Sequence, residues 1–457
     1  MRLIHVPYTY APDPCGGTEK YVEDLVRALN NSGWSSLVAA SGDRDATYEL
    51  NGQPVVRFEG SVDGLTLAQL YGDGDPAAAL AFARVLDNYR PDLVHLHCFT
   101  PAVSVRLVRE IRQRRIPTVF TYHTPTVSCQ RGTLLEWGED DCDGVLEVPR
   151  CSRCSLQGLG LNRALAWIAG SLSPSLGSII DRLELSGGIW TGLRMTELMD
   201  TRQRAFHELA RTVDHIIAPS DWVLRLLLAN GVPVGKVTIS RQGTSPDRVH
   251  RDVDEDDGEA TTKASAIAPV QIAFLGRMNP AKGAHVAVEA LRKCPGLPLQ
   301  LDVFGVVQGT SDAHYLERLR LVAQGDPRVQ FYPAIPPDSV VRTLRKYDAV
   351  AIPSCCKETG PLVLLEAFAA GVPVLGSRLG GIAERVREGV DGLLVDPGEA
   401  AGWATVFRRV VSDPQLLTHL RAGIRPPPTM EHVAAEMAAI YSRLLAQAVS
   451  TPARANE

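Results

Sequence analysis

The sequence predicts an α/β protein of two domains, each built on a parallel sheet with crossover helices, and three observations carry that expectation. At 457 residues the chain exceeds one core, because cores stop growing near about 250–300 residues. Short apolar runs alternate with helix-period patterns in two successive series, the rhythm of strands joined by helices. Between the series, His250 to Pro269 turns to Asp, Glu, Thr, Ala and Ser with few large apolar residues, which reads as a linker.

The first series starts with an apolar run from Arg2 to Pro7. It ends in a loop bearing Pro and Gly, Ala11 to Gly17, and Tyr21, Val22, Leu25, Val26 and Leu29 then repeat at helical spacing. Ser36 to Ala40, Asp92 to His97 and Pro117 to His123 read as strands, with a helix around Ala102 to Arg114. Residues 126–200 break the rhythm with four cysteines and a mixed apolar segment, Leu159 to Met199, and read as an insertion or helical excursion. The alternation resumes with His215 to Ser220, a helix from Trp222 to Ala229, and Val237 to Ser240. In the second series strands are expected at Val270 to Leu275, Leu299 to Phe304, Val329 to Tyr332, Ala349 to Ile352 and Val372 to Leu375. Helices are expected at Ala284 to Arg292, Tyr315 to Ala323 and Val340 to Tyr347, with a last one from Met430 to Val449. Ligands of such sheets bind beyond the carboxyl ends of the strands, so two facing sheets imply an interdomain cleft.

Composition excludes several classes. Hydrophobic residues at 45% and charged residues at 22% argue against global disorder, and a net charge of −5 gives no electrostatic case for nucleic-acid binding. Tyr, Pro and Asp interrupt the N-terminal apolar run, so no signal peptide is expected there, and no stretch approaches the ~18 consecutive apolar residues of a membrane span. A cytoplasmic protein is the expectation. Nine cysteines are too few for a disulfide scaffold, and clustered ones suggest metal or redox chemistry.

The chemistry gathers around Ser354 to Gly371. Thr359 is placed to cap a helix, Pro361 suits its first turn, and Gly371 suits a left-handed stop. Almost everything between is apolar except Glu366, whose burial costs roughly several kcal/mol unless a partner bonds it. Glu358 precedes the open amides of the helix start, where anions also bind. In the second series Arg277 and Lys282 leave the end of a strand together, well placed to clamp a diphosphate; the plain alternative is a solvated basic pair. For the two glutamates the alternatives are a hydrolytic acid and nucleophile pair, or two structural carboxylates.

Taken together, Gly276-Arg277 with Lys282-Gly283, Glu358 and Glu366 in an E-x7-E spacing, Gly371-Val-Pro-Val, Gly380-Gly-Ile-Ala-Glu384 and Asp391-Gly-Leu-Leu-Val395 resemble the donor half of retaining GT-B glycosyltransferases of family 4. The resemblance covers most of residues 270–396. It implies two Rossmann-like domains facing a cleft: 1–249 on the acceptor side with the insertion at about 126–200, the linker 250–269, a donor-binding domain 270–427, and a helix and tail 428–457. It implies a nucleotide-diphosphate sugar as donor substrate, with Arg277 and Lys282 neutralising the diphosphate. Glu358 would contact sugar hydroxyls, the region of Thr359, Gly360, Pro361 and Leu362 would support the sugar phosphate, and Glu366 would accept from the ribose. Gly16 and Gly17, at a strand-to-helix turn, match the family's glycine loop near the donor phosphate, and His123 matches its acceptor-side histidine. Gln242 stands where the family usually shows Asn. No cofactor is implied for transfer, and retention without an enzymic nucleophile implies that the leaving phosphate helps deprotonate the acceptor.

Cys129, Cys142, Cys151 and Cys154 depart from the common family pattern. A C-x2-C pair with two earlier cysteines is expected to close a structural zinc or iron–sulfur site; the alternative is adventitious thiols. Arg106, Arg109, Arg112, Arg114 and Arg115 read as a solvated face, or as a surface for anionic lipid or a lipid-linked acceptor to which Leu161 to Ile180 would add. The expected function is sugar transfer from a nucleotide sugar to an acceptor the sequence does not name, a saccharide, lipid-linked or small molecule. The rival readings are a sugar-nucleotide-binding protein without activity and a metal-organised interaction protein.

Overall fold

A computed structural model describes residues 1–13, 16–185, 187–245, 268–323 and 325–450, the side chains of 449 and 450 excepted. Most of the expected linker, 250–267, lies outside the described residues. The chain divides into two compact units, Met1–Arg241 with Val433–Glu457, and Gln242–His432.

In the first unit the strands are β1 (Arg2–Val6), β2 (Ser35–Gly42), β3 (Ala46–Leu50), β4 (Gln53–Glu59), β5 (Leu93–Leu96), β6 (Thr118–Thr121), the two-residue hairpin of β7 (Leu135–Glu136) and β8 (Asp140–Asp141), β9 (His215–Ala218) and β10 (Val237–Ile239). Among the described residues the main sheet runs in the order β10-β9-β6-β5-β1-β2-β4-β3, and every pairing is parallel except β3 with β4. β1, β5, β6 and β9 are buried nearly throughout, as expected of parallel strands covered on both faces. Here Leu3, Ile4, Val94 and Phe120 join the core.

Two pieces of this unit went unread in the sequence although it signals both. Asn51-Gly52 turns the β3–β4 hairpin with φ of 52° and 77°, the positive pair that a tight two-residue hairpin turn requires. The helix Pro76–Tyr89 starts on Asp75, whose carboxylate accepts from the Ala77 amide at 2.7 Å, with Pro at the first helical position. The excursion after β6 is helical: Val148–Gly158, Arg163–Ala169, Pro174–Arg182, Gly188–Leu193 and Met195–Thr212. Met430–Ser450 is one helix, and from Val433 it belongs to the first unit, where the Tyr441 hydroxyl meets His95 Nδ1 at 2.6 Å.

The second unit holds β11 (Val270–Arg277), β12 (Leu299–Val306), β13 (Val329–Pro333), β14 (Ala349–Ile352), β15 (Val374–Ser377) and β16 (Gly392–Val395), all parallel, in the order β13-β12-β11-β14-β15-β16. β16 and the helices Ala400–Ser412 and Pro414–Gly423 extend the series beyond the expected elements, and bring the fully buried Trp403 and Phe407 into the core. The order reverses between β11 and β14, so the loops leaving these two neighbours diverge and open a crevice at their carboxyl ends. Arg277 ends β11, Lys282 lies on the loop that follows it, and Glu358 lies on the loop after β14.

Candidate active site

Glycines make the second unit's loops fit together. After β11, Gly283 has φ of 73°, and a Cβ there would stand 1.8 Å from the carbonyl oxygen of Pro353, at the end of β14. Only glycine allows that approach. The Cys355 amide then donates to the Ala281 carbonyl at 2.8 Å and ties the two loops together. Lys282, held by this staple, donates from Nζ to Glu358 Oε2 at 2.6 Å although 76 residues separate them. Ser354 donates its hydroxyl to the other oxygen, Glu358 Oε1. From the far side the Gly381 amide donates to the Glu358 carbonyl at 2.7 Å, and a Cβ on Gly380 or Gly381 would press on that backbone. The glycine pair therefore fixes where Glu358 sits.

Burial works against the Lys282 charge, but the Glu358 carboxylate outweighs it and raises the ammonium pKa. Arg277 lies close enough for its charge to oppose that of Lys282. Its guanidinium is held by Asp312, Nε to Oδ2 at 3.2 Å and the second nitrogen to Oδ1 at 3.4 Å, and Asp312 also accepts from the Gln308 amide at 3.0 Å. Two cations and an ordered carboxylate thus share the crevice, an arrangement suited to an anionic ligand that also presents hydroxyls.

The helix after β14 spans Leu362–Ala369, with Pro361 itself as the cap residue at φ −66° and ψ 126°. This corrects two expectations: Thr359 does not cap, because the helix begins later, and Pro361 lies one position before the first turn. Gly371 has the expected positive φ of 71°. Glu366 is buried, with 9% exposure, on this helix, and Gly360 and Leu362 flank its cap. Gln242 now has a place as well. Its Oε1 is buried without a hydrogen-bond partner and lies 3.0 Å from where a Gly360 Cβ would be, so it faces the turn that precedes the helix.

In the first unit Gly16 caps the helix Gly17–Asn31, and its amide donates to Glu19 Oε2 at 2.8 Å. His123 follows β6 and is buried, with the Tyr21 ring edge-on at 4.9 Å. It joins His5, His95 and His97 in one cluster of four buried histidines, and those three were not foreseen. His123 Nε2 meets His97 Nδ1 at 3.1 Å, and His97 Nε2 meets His5 Nδ1 at 3.1 Å. Burial pushes the pKa of both His5 and His123 down to about 3, and holds those of His95 and His97 well below the ordinary value, so the rings are neutral at pH 7. Each neutral ring carries one proton, so the row has a single direction. The direction decides whether the outer proton sits on His5 Nε2 or on His123 Nδ1, the two ends of the row.

His5, His95 and His97 bring nitrogens within 4.8 Å of one another, the sole such donor group among the described residues. Both His95 nitrogens are already engaged, by Tyr441 at 2.6 Å and Thr121 at 2.7 Å, so this is a hydrogen-bonded network rather than an open ligand set.

Cys129, Cys142, Cys151 and Cys154 line one cavity, and no histidine is among its lining residues. On or just after the arginine-bearing helix, Arg109 is paired with Glu208, Arg114 with Asp87 and Glu110, and Arg112 with Asp214, while among the described residues no ion pair holds Arg106 or Arg115. Exposed apolar side chains gather in the excursion, among them Leu165, Trp167, Ile168 and Ile179. Among the described residues no helix is long and apolar enough to cross a membrane.

Comparison with known sequences gives two family matches. Residues 261–425 match the family described as Glycosyl transferases group 1, and residues 16–242 match the Glycosyl transferase 4-like domain. A D-inositol 3-phosphate glycosyltransferase of Rhodococcus opacus is 30% identical over 240 residues, 49% of this chain and 52% of that protein. Its counterpart in Nocardia farcinica is 37% identical over 160 residues, 34% of this chain and 35% of that protein. The chain thus matches about half or less of these curated relatives' length. Among solved structures, Anabaena HepE in complex with UDP and glucose superposes with a TM-score of 0.62 at 18% identity, covering 96% of this chain and 99% of that one. Sucrose-phosphate synthase from Thermosynechococcus elongatus gives 0.65 at 19% identity, covering 98% and 99%. At such identities the likeness is one of fold, and the fold is GT-B.

Proposed function

The chain belongs to the group 1 glycosyltransferases, and from that footing we propose that it transfers a sugar, with retention of configuration, from a nucleotide-diphosphate sugar to an acceptor hydroxyl. The observation that carries this reading is the Lys282–Glu358 pair, set beside Arg277 in the crevice between β11 and β14. A diphosphate gains charge as it leaves the sugar, so cations beside it help the transition state more than the ground state. Lys282 and Arg277 fill that role. Glu358, its carboxylate oriented by Ser354 and Lys282, accepts from sugar hydroxyls. The turn at Thr359 to Leu362 supports the sugar phosphate, and Glu366 accepts from the ribose. The neighbour HepE is described with UDP and glucose, which supports a nucleotide-linked donor here.

In the transfer the bond between the anomeric carbon and the phosphate oxygen breaks, a bond to the acceptor oxygen forms on the same face, and the acceptor proton passes to the departing phosphate. No protein base is required. That suits His123, whose depressed pKa makes it a poor carrier of charge. We place the activity in the cytoplasm, in keeping with cysteines that are not organised as a disulfide scaffold.

The test is a panel of nucleotide-sugars screened by thermal shift and then assayed for transfer. A donor present at a hundred times its dissociation constant adds about 2.7 kcal/mol of apparent stability. One donor is expected to raise the melting temperature and to be turned over. Lys282→Ala is expected to lower turnover by roughly 10²–10³-fold, the scale of losing one charge-stabilising donor, with the fold retained. Donor binding without transfer or hydrolysis would replace this reading with that of a binding protein. Full activity in Lys282→Ala would remove the site from this crevice.

A further inference from the structure

The excursion between β6 and β9 carries four thiols that sugar transfer does not use. Cys129 follows a single turn at Pro125–Val127, and Cys142 follows the β7–β8 hairpin, its amide donating to the Leu134 carbonyl at 3.0 Å. Cys151 and Cys154 lie one turn apart on the helix Val148–Gly158, so both face the same way. All four line a single cavity of about 50 Å³, comparable to the volume of one or two waters, and no disulfide links any of them to another.

Two features point to an ion in that cavity. Backbone amides are aimed at sulfur: Trp137 N–H at Cys154 Sγ, 3.3 Å, and Gly144 N–H at Cys142 Sγ, 3.4 Å. Such donors satisfy a sulfur that carries charge. The second feature is an excess of positive charge. Arg131 donates to the Cys154 carbonyl at 3.0 Å and to Gln157 Oε1 at 2.6 Å, and Arg202 donates to the Thr126 carbonyl. Neither has a carboxylate partner among the described residues. The Arg202 Nε is buried with no hydrogen-bond partner. A buried cation without a counter-charge is costly. A divalent ion bound by four thiolates carries a net charge of −2, which balances Arg131 and Arg202.

We propose that Cys129, Cys142, Cys151 and Cys154 bind one zinc ion in a tetrahedral thiolate site. The sulfurs stand more openly than the nitrogens of the histidine cluster, and zinc–sulfur bonds of about 2.3 Å would draw them to about 3.8 Å from one another. The ion clips the turn, the hairpin and the helix together where β7 and β8, two residues each, hold little by themselves. Binding releases the thiol protons and adds its free energy to the folding of this segment. This site and the transferase reading stand or fall separately, since neither uses a residue of the other.

The test is metal analysis of the whole purified protein, with cobalt substitution. About one zinc per chain is expected, with the visible bands of tetrahedral thiolate cobalt after exchange. Cys142→Ser and Cys154→Ser should each lower occupancy at least tenfold. If the serine variants do not fold, stepwise mercurial modification of the unaltered protein should release zinc in parallel with four thiols. Three results would overturn the assignment: no zinc in protein from zinc-supplemented cells and no cobalt uptake after reduction; zinc retained in both serine variants or released without thiol modification; or iron in place of zinc.

Discussion

The two units handle polar groups near the carboxyl ends of their strands in opposite ways. In the second, Lys282 is kept charged by Glu358 at 2.6 Å, and Arg277 is paired with Asp312. In the first, four histidines are kept neutral by burial, and three of them, His123, His97 and His5, are hydrogen-bonded in a row of rings. A site of paired charges suits a ligand that brings charge of its own, since an incoming phosphate exchanges for the carboxylate at a cation already paid for in desolvation. A neutral row suits a ligand that brings hydroxyls. The difference also predicts how each unit fails: the first through pH, the second through loss of the loop geometry that brings its charges together.

The largest effect is expected where that geometry is tightest. Gly283→Ala places a Cβ where the Pro353 carbonyl stands and imposes a left-handed φ on alanine, for a loss of about 3 kcal/mol. Unfolding by denaturant should show it, and donor-induced stabilisation should fall in the same variant because Lys282 shifts with the loop. If the change is tolerated with donor binding intact, the staple does not set the Lys282 position and the contrast loses one side.

The next effect is on the histidine side. A folded-state pKa near 3 against an ordinary 6.5 means that the unfolded chain takes up a proton below about pH 6.5 while the folded one does not. Stability therefore falls as pH drops from 6.5 towards 3, by up to about 1.4 kcal/mol per pH unit for each such histidine. Melting temperatures at pH 7.5, 6.0 and 5.0 should decline, and His5→Asn should flatten the slope by up to one proton's share. A slope unchanged in that variant would mean that His5 is not held neutral. By the same reasoning, the activity profile should show no step near pH 6.5 that disappears in His123→Asn.

The smallest effect is expected at exposed pairs. Arg109 is half exposed and meets Glu208 at 2.6 and 2.7 Å, and Arg109→Ala should change stability by no more than about 0.5 kcal/mol. A loss several times larger, measured by chemical denaturation, would show that charge pairing sustains the first unit too.

Much of the second unit's site was legible because its chemistry lies in short, punctuated stretches. Gly-Arg, Lys-Gly and the apolar helix with one glutamate each announce a loop or cap and a charge within a few residues. The partners were not legible. Asp312 is one acid among many on a helix, and Ser354 one more polar residue in a loop; only the fold turns them towards Arg277 and Glu358. The histidines show the limit more sharply. His5, in β1, and His97, just past the end of β5, are 92 residues apart and become neighbours because β1 and β5 pair side by side, which no local spacing encodes. The hairpin at Asn51-Gly52 and the capped helix at Asp75-Pro76 were written plainly in the sequence, and reading turn and cap signals along the whole chain recovers both.

The helix Met430–Ser450 has a consequence for how the molecule can be taken apart. Because Tyr441 closes on His95 in the first unit, the last stretch of the chain completes its first half, and residues 242–432 form an insert within a host that begins before it and ends after it. Genetic surgery at the C-terminus therefore damages the half encoded at the opposite end. Exchange of a donor-side module between family members calls for two splice points, near 241–242 and 432–433, with the terminal helix left to its host.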